Sequence, residues 1–391
     1  MTVLGVYTDA QYRADGDRLH TEGESLAFLH FACAVGAEFD GLVLIGRSAP
    51  EGVGVDLPLP PGPRLAPLPW YASLAGLGAV LRAVGGTATG MWRAAGRADV
   101  LWVFGPHPFA LLLVAIGLLR RKHVVLGARN ETVAYFRARL GGRGGWMLAP
   151  IRALDVVWRA LARALPTAVV GAGLERLYGG PRHGVLPFAV ATLPAADLAP
   201  GVREEEPGDE VRLLTVGRIE PEKAPATMIA ALAALQGRDG RRYRLTWVGT
   251  GRLADAARAE AERLGVADRL DLAGYVPFGP ELVARYRDAD LFVHVAVTEG
   301  TPQVLLEALG AGLPVVATDV GGVAGALEGG EAGLLVPPGA PDAVADAVAA
   351  AVADRPGRLA RARRGLELAR ARTREHEAAR VAGWLRGRPA A

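Results

Sequence analysis

Short runs rich in β-branched residues alternate with longer stretches of helical period, and they do so twice along the chain. That is the pattern of parallel sheets covered by helices. In the first half, strands are predicted at 3–7, 42–45, 100–104, 123–126 and 168–170, with helices such as 24–35 and 146–164 between them. In the second half, strands are predicted at 211–216, 244–248, 270–272, 291–295, 315–317 and 334–336. The halves are joined by LPAADLAPGVREEEPGDE, which has no period and is rich in Pro, Gly and acid. A chain of 391 residues also exceeds what one core usually organises. The expected organisation is an N-terminal Rossmann-like domain over 1–190, a linker over 191–210 and a second Rossmann-like domain over 211–370. A helix over 371–391 would follow, packing back on the first domain. The fold class is α/β, with two doubly wound parallel sheets whose ligands bind at the carboxyl ends of strands.

Charge narrows the function classes. The 44 basic residues nearly balance 41 acidic ones, a net of +3, so wholesale nucleic-acid binding is not indicated. Almost all the cations are arginine, and the two lysines are Lys122 and Lys223, so a lysine in a site-like place stands out. The single Cys33 cannot form an internal disulfide, the histidines have no metal-ligand spacing, and no signal peptide is visible. The expectation is a reduced, cytoplasmic protein. The apolar run 101–119 is broken by Gly105, Pro106, His107 and Pro108, which leaves too little to span a bilayer. It reads as strand, loop and buried helix.

The most informative segment is HVAVTEGTPQVLLEALGAGLPVVATDVGG. Gly300, Thr301 and Pro302 form a helix entry, with Thr301 suited to the N-cap and Pro302 to the first turn. The backbone amides of Gln303, Val304 and Leu305 would then face an anion such as a diphosphate at the helix N-terminus. Glu299 falls on the loop before that helix and Glu307 one turn beyond Gln303, so one carboxylate can meet a sugar ring and the other a ribose. Upstream, VGRIEPEKAP ends a strand in Gly217 and delivers Arg218 and Lys223, two cations able to neutralise a diphosphate leaving group. WVGTGRL and LAGYVP end two further strands, giving turns at Gly249 and Gly274 that suit a phosphate or a base edge.

In that order and spacing, the segment 217–338 resembles glycosyltransferase family 4, the retaining GT-B transferases. The resemblance implies that Arg218 and Lys223 bind the diphosphate of a sugar nucleotide, that Glu299 contacts the donor sugar and that Glu307 contacts the ribose. It implies a hydroxyl acceptor, no metal, and no cofactor besides the nucleoside diphosphate sugar donor. GPHPFA resembles the family's histidine-bearing loop, which makes His107 the N-terminal candidate catalytic residue beside Glu299. The family's Gly-Gly pair after the first strand is here Gly23 followed by Glu24, whose charge would repel a phosphate. If both glutamates line an open cleft, neither substitution unfolds the protein, and Glu299→Ala spares binding of a sugar-free diphosphate.

Other readings compete. GTGRLA at 249–254 fits the G-x-G-x-x-A fingerprint of a nicotinamide-dependent oxidoreductase, but it follows the second strand of its domain and leaves both glutamates unexplained. A nonhydrolysing sugar-nucleotide epimerase, or a nucleotide-binding protein that has lost turnover, would share the architecture. Asp288 and Asp290 form an Asp-x-Asp pair, but at a helix end before a strand, where a structural role is expected. His294, inside an apolar strand, reads as a core histidine. The Arg-rich stretch 120–163, with Trp146, Met147 and Trp158, fits peripheral contact with an anionic membrane at its inner face, against the plainer reading of solvated helix faces.

Overall fold

In a computed structural model, all residues are described except 1, 73–76, 141–147, 180–183, 191–192, 300–301 and 388–391. The chain divides into two units, Met1–Val190 with Arg374–Ala391, and Ala191–Thr373.

The strands of the first unit are β1 (Val3–Asp15), β2 (Arg18–Thr21), β3 (Gly41–Ser48), β4 (Leu57–Pro58), β5 (Arg64–Leu68), β6 (Val100–Phe104), β7 (His123–Ala128), β8 (Thr167–Val170) and β9 (Val185–Phe188). Seven of them run parallel in the order β5-β3-β1-β6-β7-β8-β9. Its centre is buried on both faces, which is why VLWVF of β6 is apolar without alternation. The helix Gly23–Ala37 and the C-terminal helix Arg374–Leu385 cover one face, through Leu29, Phe31, Val381 and Leu385. Met91, Leu113 and Trp158 from three other helices pack the opposite face. The run 101–119 is strand β6, a loop and the helix Pro108–Leu119.

One element departs from expectation. Instead of ending at Tyr7, β1 continues to Asp15 and turns back antiparallel as β2, with Tyr12 opposite Thr21 and Asp15 opposite Arg18. The cause is local: Gly16 takes the left-handed conformation, φ 56°, in an Asp-Gly turn between two short extended runs.

The second unit is a six-stranded parallel sheet: β10 (Glu210–Val216), β11 (Arg242–Val248), β12 (Leu270–Gly274), β13 (Leu291–His294), β14 (Val315–Thr318) and β15 (Leu334–Val336). Its order is β12-β11-β10-β13-β14-β15, so the winding direction reverses between β10 and β13. Helices bury Ile229, Leu232, Val344 and Val348 against one face and Leu282, Tyr286, Leu305 and Leu309 against the other. The acidic stretch before β10 is packed on this unit: Glu206 pairs with Arg355 and Arg358, and Glu204 with Arg363.

Candidate functional site

The strand order reverses between β10 and β13, and the carboxyl ends at such a reversal are the position where doubly wound sheets bind ligands. Past the end of β10 come Gly217, Arg218 and the short turn Pro221–Lys223. Past the end of β13 comes the loop that carries Glu299. The two loops are tied together, because Val297 N–H donates to the Glu222 carbonyl at 2.9 Å. The second loop is also anchored to β14, where Thr318 Oγ1 accepts from Ala296 N–H and donates to its carbonyl, both at 2.9 Å.

These ties bring Lys223 and Glu299 into a direct ion pair between side chains only 17% and 13% exposed. His294, the last residue of β13, places Nε2 3.1 Å from the same Glu299 Oε1. Burial alone would push the Glu299 carboxyl up; the hydrogen bond from His294 and the Lys223 charge outweigh it and hold it at about 2. Burial also lowers the His294 pKa, so near neutrality the ring is uncharged. Facing a carboxylate that only accepts, Nε2 must carry the proton. His294 is therefore a buried histidine, as its place in an apolar strand suggested, and its polar partner is Glu299. Arg218 is 56% exposed and donates to Glu222 at 2.8 Å, so each site cation rests against a carboxylate.

The helix after the loop spans Gln303–Gly310 with Pro302 at its N-cap; Gly300 and Thr301, the latter expected to cap it, lie outside the described residues. The Leu305 amide is not available to a ligand as expected, because it donates to the Pro302 carbonyl at 3.2 Å. Gln303 and Val304 N–H have no partner among the described residues. Glu307 is 6% exposed and accepts from Tyr286 Oη at 2.8 Å. Neither glutamate is thus an open-cleft side chain, and removing either disturbs a buried partner.

The glycines act through backbone packing. Gly249 has φ 145°, and a Cβ there would lie 2.0 Å from the Gly217 carbonyl oxygen; its N–H donates to the Gly274 carbonyl at 2.7 Å. Gly217, Gly249 and Gly274 are therefore neighbours at three adjacent strand ends. A Cβ on Gly251 would meet the Ile219 backbone, so both glycines of the supposed dinucleotide fingerprint serve loop-on-loop contact. Sequence reasoning missed Gly321, where a Cβ would lie 1.8 Å from the Glu299 carbonyl oxygen.

His107 lies at the corresponding reversal of the first unit, between β1 and β6. Phe109 N–H approaches its Nδ1 at 3.3 Å, making that nitrogen an acceptor and Nε2 the protonated one, 3.5 Å from Asp9 Oδ2. Burial lowers its pKa, opposed by Asp9 and assisted by Arg47. Asp9 also accepts from Tyr71 Oη at 2.7 Å and pairs with Arg47 at 3.1 Å. Asp9, Arg47 and Tyr71 come from three separate segments, and no sequence pattern marked them. Before the first helix, Glu22 accepts from Gln11 N–H at 2.7 Å and Ser25 Oγ at 2.8 Å, so a carboxylate of the protein itself stands beside Gly23.

The Asp-x-Asp pair is structural: Asp290 is held by Arg203 and by Arg212, 3.1 Å away, beside the amino end of β13. No group of three or more potential ligands that could hold a metal occurs among the described residues. Trp158, counted among the membrane-facing aromatics, is fully buried in the core; Trp146 and Met147 lie outside the described residues. Among the described residues no helix is long and apolar enough to cross a membrane.

Residues 202–367 match the family described as Glycosyl transferases group 1. The chain is 38% identical over 160 residues to a D-inositol 3-phosphate glycosyltransferase of Corynebacterium glutamicum, covering 40% of this chain and 38% of that protein. It is 35% identical over 193 residues to a GDP-mannose-dependent alpha-(1-6)-phosphatidylinositol monomannoside mannosyltransferase of Mycobacterium tuberculosis, covering 47% and 49%. The chain thus spans less than half the length of these curated relatives. Over 99% of both chains it superposes on sucrose-phosphate synthase from Thermosynechococcus elongatus, with TM-score 0.74 at 18% identity, a likeness of fold. The epimerase and oxidoreductase readings gain no support from these likenesses. In its segment 202–367 the chain is thus similar to the glycosyl transferases group 1, and it has the GT-B fold.

Proposed function

We propose that the protein is a retaining glycosyltransferase that moves a sugar from a nucleoside diphosphate sugar to a hydroxyl acceptor without a metal. The observation that carries this reading is the convergence of Arg218, Lys223 and Glu299 at the β10/β13 reversal, beside the start of the helix Gln303–Gly310. In the proposed reaction the bond from the anomeric carbon to the diphosphate oxygen breaks, and the acceptor oxygen bonds to that carbon on the same face. The acceptor proton passes to the departing diphosphate. Arg218 and Lys223 balance the charge that develops there, and Glu299 orients the sugar through its hydroxyls. Glu307 receives a ribose hydroxyl. Asp9 and His107 form the acceptor-side candidate in the first unit.

The names of the relatives make GDP-mannose and inositol phosphates natural members of the test panel. A thermal-shift screen of UDP, GDP and ADP sugars should pick out one donor, since a ligand at a hundred times its Kd stabilises by about 2.7 kcal/mol. Failure of every sugar nucleotide to stabilise the protein would overturn the reading. EDTA should leave turnover intact, and NMR of the product should show a retained anomeric centre. Peripheral membrane contact belongs to the proposal at the start of the Arg-rich stretch, with Trp92, Leu118 and Leu119 as its apolar members in place of Trp146, Met147 and Trp158. Trp92, Leu118 and Leu119 are exposed beside Arg93, Arg120 and Arg121, the Arg120 guanidinium lying 4.7 Å from the Trp92 ring centroid. Flotation with anionic but not neutral liposomes checks it.

A further inference from the structure

The most constrained side chain in the site is one that the proposed chemistry does not use. His294 is 1% exposed, on the same side of β13 as Phe292, and its ring stacks on that phenyl ring at 6.3 Å with an interplanar angle of 12°. An apolar residue would pack equally well there, and burying an imidazole without a polar partner costs stability. Its partner is Glu299 Oε1, which the Lys223 ammonium also claims. Glu299 Oε2 has no protein partner among the described residues.

We infer that His294 is the positioning residue of Glu299: when a diphosphate draws Lys223 away, the Nε2–H of His294 keeps Oε1 in place and leaves Oε2 to accept from a sugar hydroxyl. This rests on the reading of the site as a sugar-nucleotide site. Two features make the hold firm. The loop between the two residues is fixed at Ala296 by Thr318 and at Val297 by Glu222, so the histidine and the carboxylate cannot drift apart through the backbone. The ring comes from the end of a buried strand, so it cannot follow Glu299 outward. Lys223, on a flexible stem, can serve both carboxylate and phosphate in turn.

The test uses His294→Phe, which keeps the size and the stacking, and His294→Gln, whose side-chain amide restores a donor. Calorimetry with UDP and GDP and steady-state release of nucleoside diphosphate from UDP-glucose and GDP-mannose are the readouts. His294→Phe should lower kcat roughly 10- to 100-fold while nucleoside diphosphate affinity stays within about 2-fold, since misaiming by about an ångström is enough for that loss. His294→Gln should recover most of kcat. Combined with Glu299→Gln, His294→Phe should cost almost nothing further, because its effect passes through the carboxylate. Wild-type kcat in His294→Phe, equal loss of affinity and kcat, or additivity with Glu299→Gln would each overturn the inference. If His294→Phe does not fold, His294→Gln decides alone: kcat within about 3-fold of wild type supports the role, and a loss beyond 10-fold refutes it. A wild-type protein that turns over no sugar nucleotide refutes the reading of the site instead.

Discussion

Replacing Glu299 by Gln should tighten binding of a sugar-free nucleoside diphosphate while abolishing most turnover. With Glu299 in an open cleft such affinity would be spared, as expected for Glu299→Ala; the ion pair changes that. The Lys223 ammonium is engaged by Glu299, so a diphosphate in the proposed site would either displace the carboxylate or bind beside its negative charge. Two unit charges in contact near a protein surface interact by roughly 5 kcal/mol before desolvation is counted. Exposed pairs retain about 0.2 to 1 kcal/mol, while breaking a buried pair costs about 3 to 5 kcal/mol. At 17% and 13% exposure the Lys223–Glu299 pair lies between these limits, and about 1 to 2 kcal/mol of competition should be relieved, or roughly 5- to 30-fold in Kd. Gln can still accept from His294, so the loop should keep its shape. Turnover should fall about 100-fold or more through loss of the charged contact to the sugar. Isothermal calorimetry with the free nucleoside diphosphate, beside donor kinetics, separates the two effects. Unchanged or weakened diphosphate affinity would refute the competition, and near-wild-type turnover would refute the role of Glu299.

Gly249→Ala should lower the melting temperature by about 6 to 12 °C, because its Cβ would meet the Gly217 carbonyl and at least 3 kcal/mol is at stake; Gly274→Ala, with open space around it, should cost only about 1 kcal/mol. Stability should fall as pH drops below about 6.5, since the folded-state pKa of His294 lies under its unfolded value and the neutral ring is the one that fits. A second loss should follow between about pH 4.5 and 2 as Glu299 protonates. Urea titrations at pH 7 and 5 should show a smaller decline in His294→Gln, by up to about 1.4 kcal/mol per pH unit. Tyr286→Phe should destabilise the protein by about 1 to 3 kcal/mol, because the buried Glu307 carboxylate loses a hydrogen bond; an unchanged urea midpoint would refute that.

Much of the second unit was legible because its signals are local. Apolar runs bounded by glycine marked the strands, and Glu299, Pro302 and Glu307 lie within nine residues around one helix start. What escaped depends on pairing across sequence distance. Thr318 holds Ala296 from 22 residues away, and it reaches that backbone only once β13 and β14 lie side by side. Asp9, Arg47, Tyr71 and His107 come together because the irregular middle of β1 and the carboxyl ends of β3, β5 and β6 lie side by side, a fact of sheet order that no run of residues states. The partner of His294 escaped for another reason: an apolar strand tells that its histidine is buried, as it is, but not which carboxylate on the following loop meets the ring. The hairpin of β1 with β2 did have a local signal, Asp-Gly between two short extended runs.

The two glutamates differ in what holds them, and the difference follows from where each sits. Glu307 is within a helix, under a neutral phenol donated by a neighbouring helix, so its partner is not one a diphosphate would attract. Glu299 is on a loop, and one of its partners is a cation that an anionic ligand can claim. Arg218 stands in a similar relation to Glu222. Both cations are therefore already positioned, and partly desolvated in the case of Lys223, while their charge is balanced by carboxylates. On the proposed reading, a diphosphate that enters would exchange one set of anions for another instead of drawing two mobile cations out of water. This keeps the ordering cost of binding low. On the same reading Glu299 stays in place by its hydrogen bond with His294 when Lys223 turns to the diphosphate, so its aim at the sugar does not depend on the ion pair.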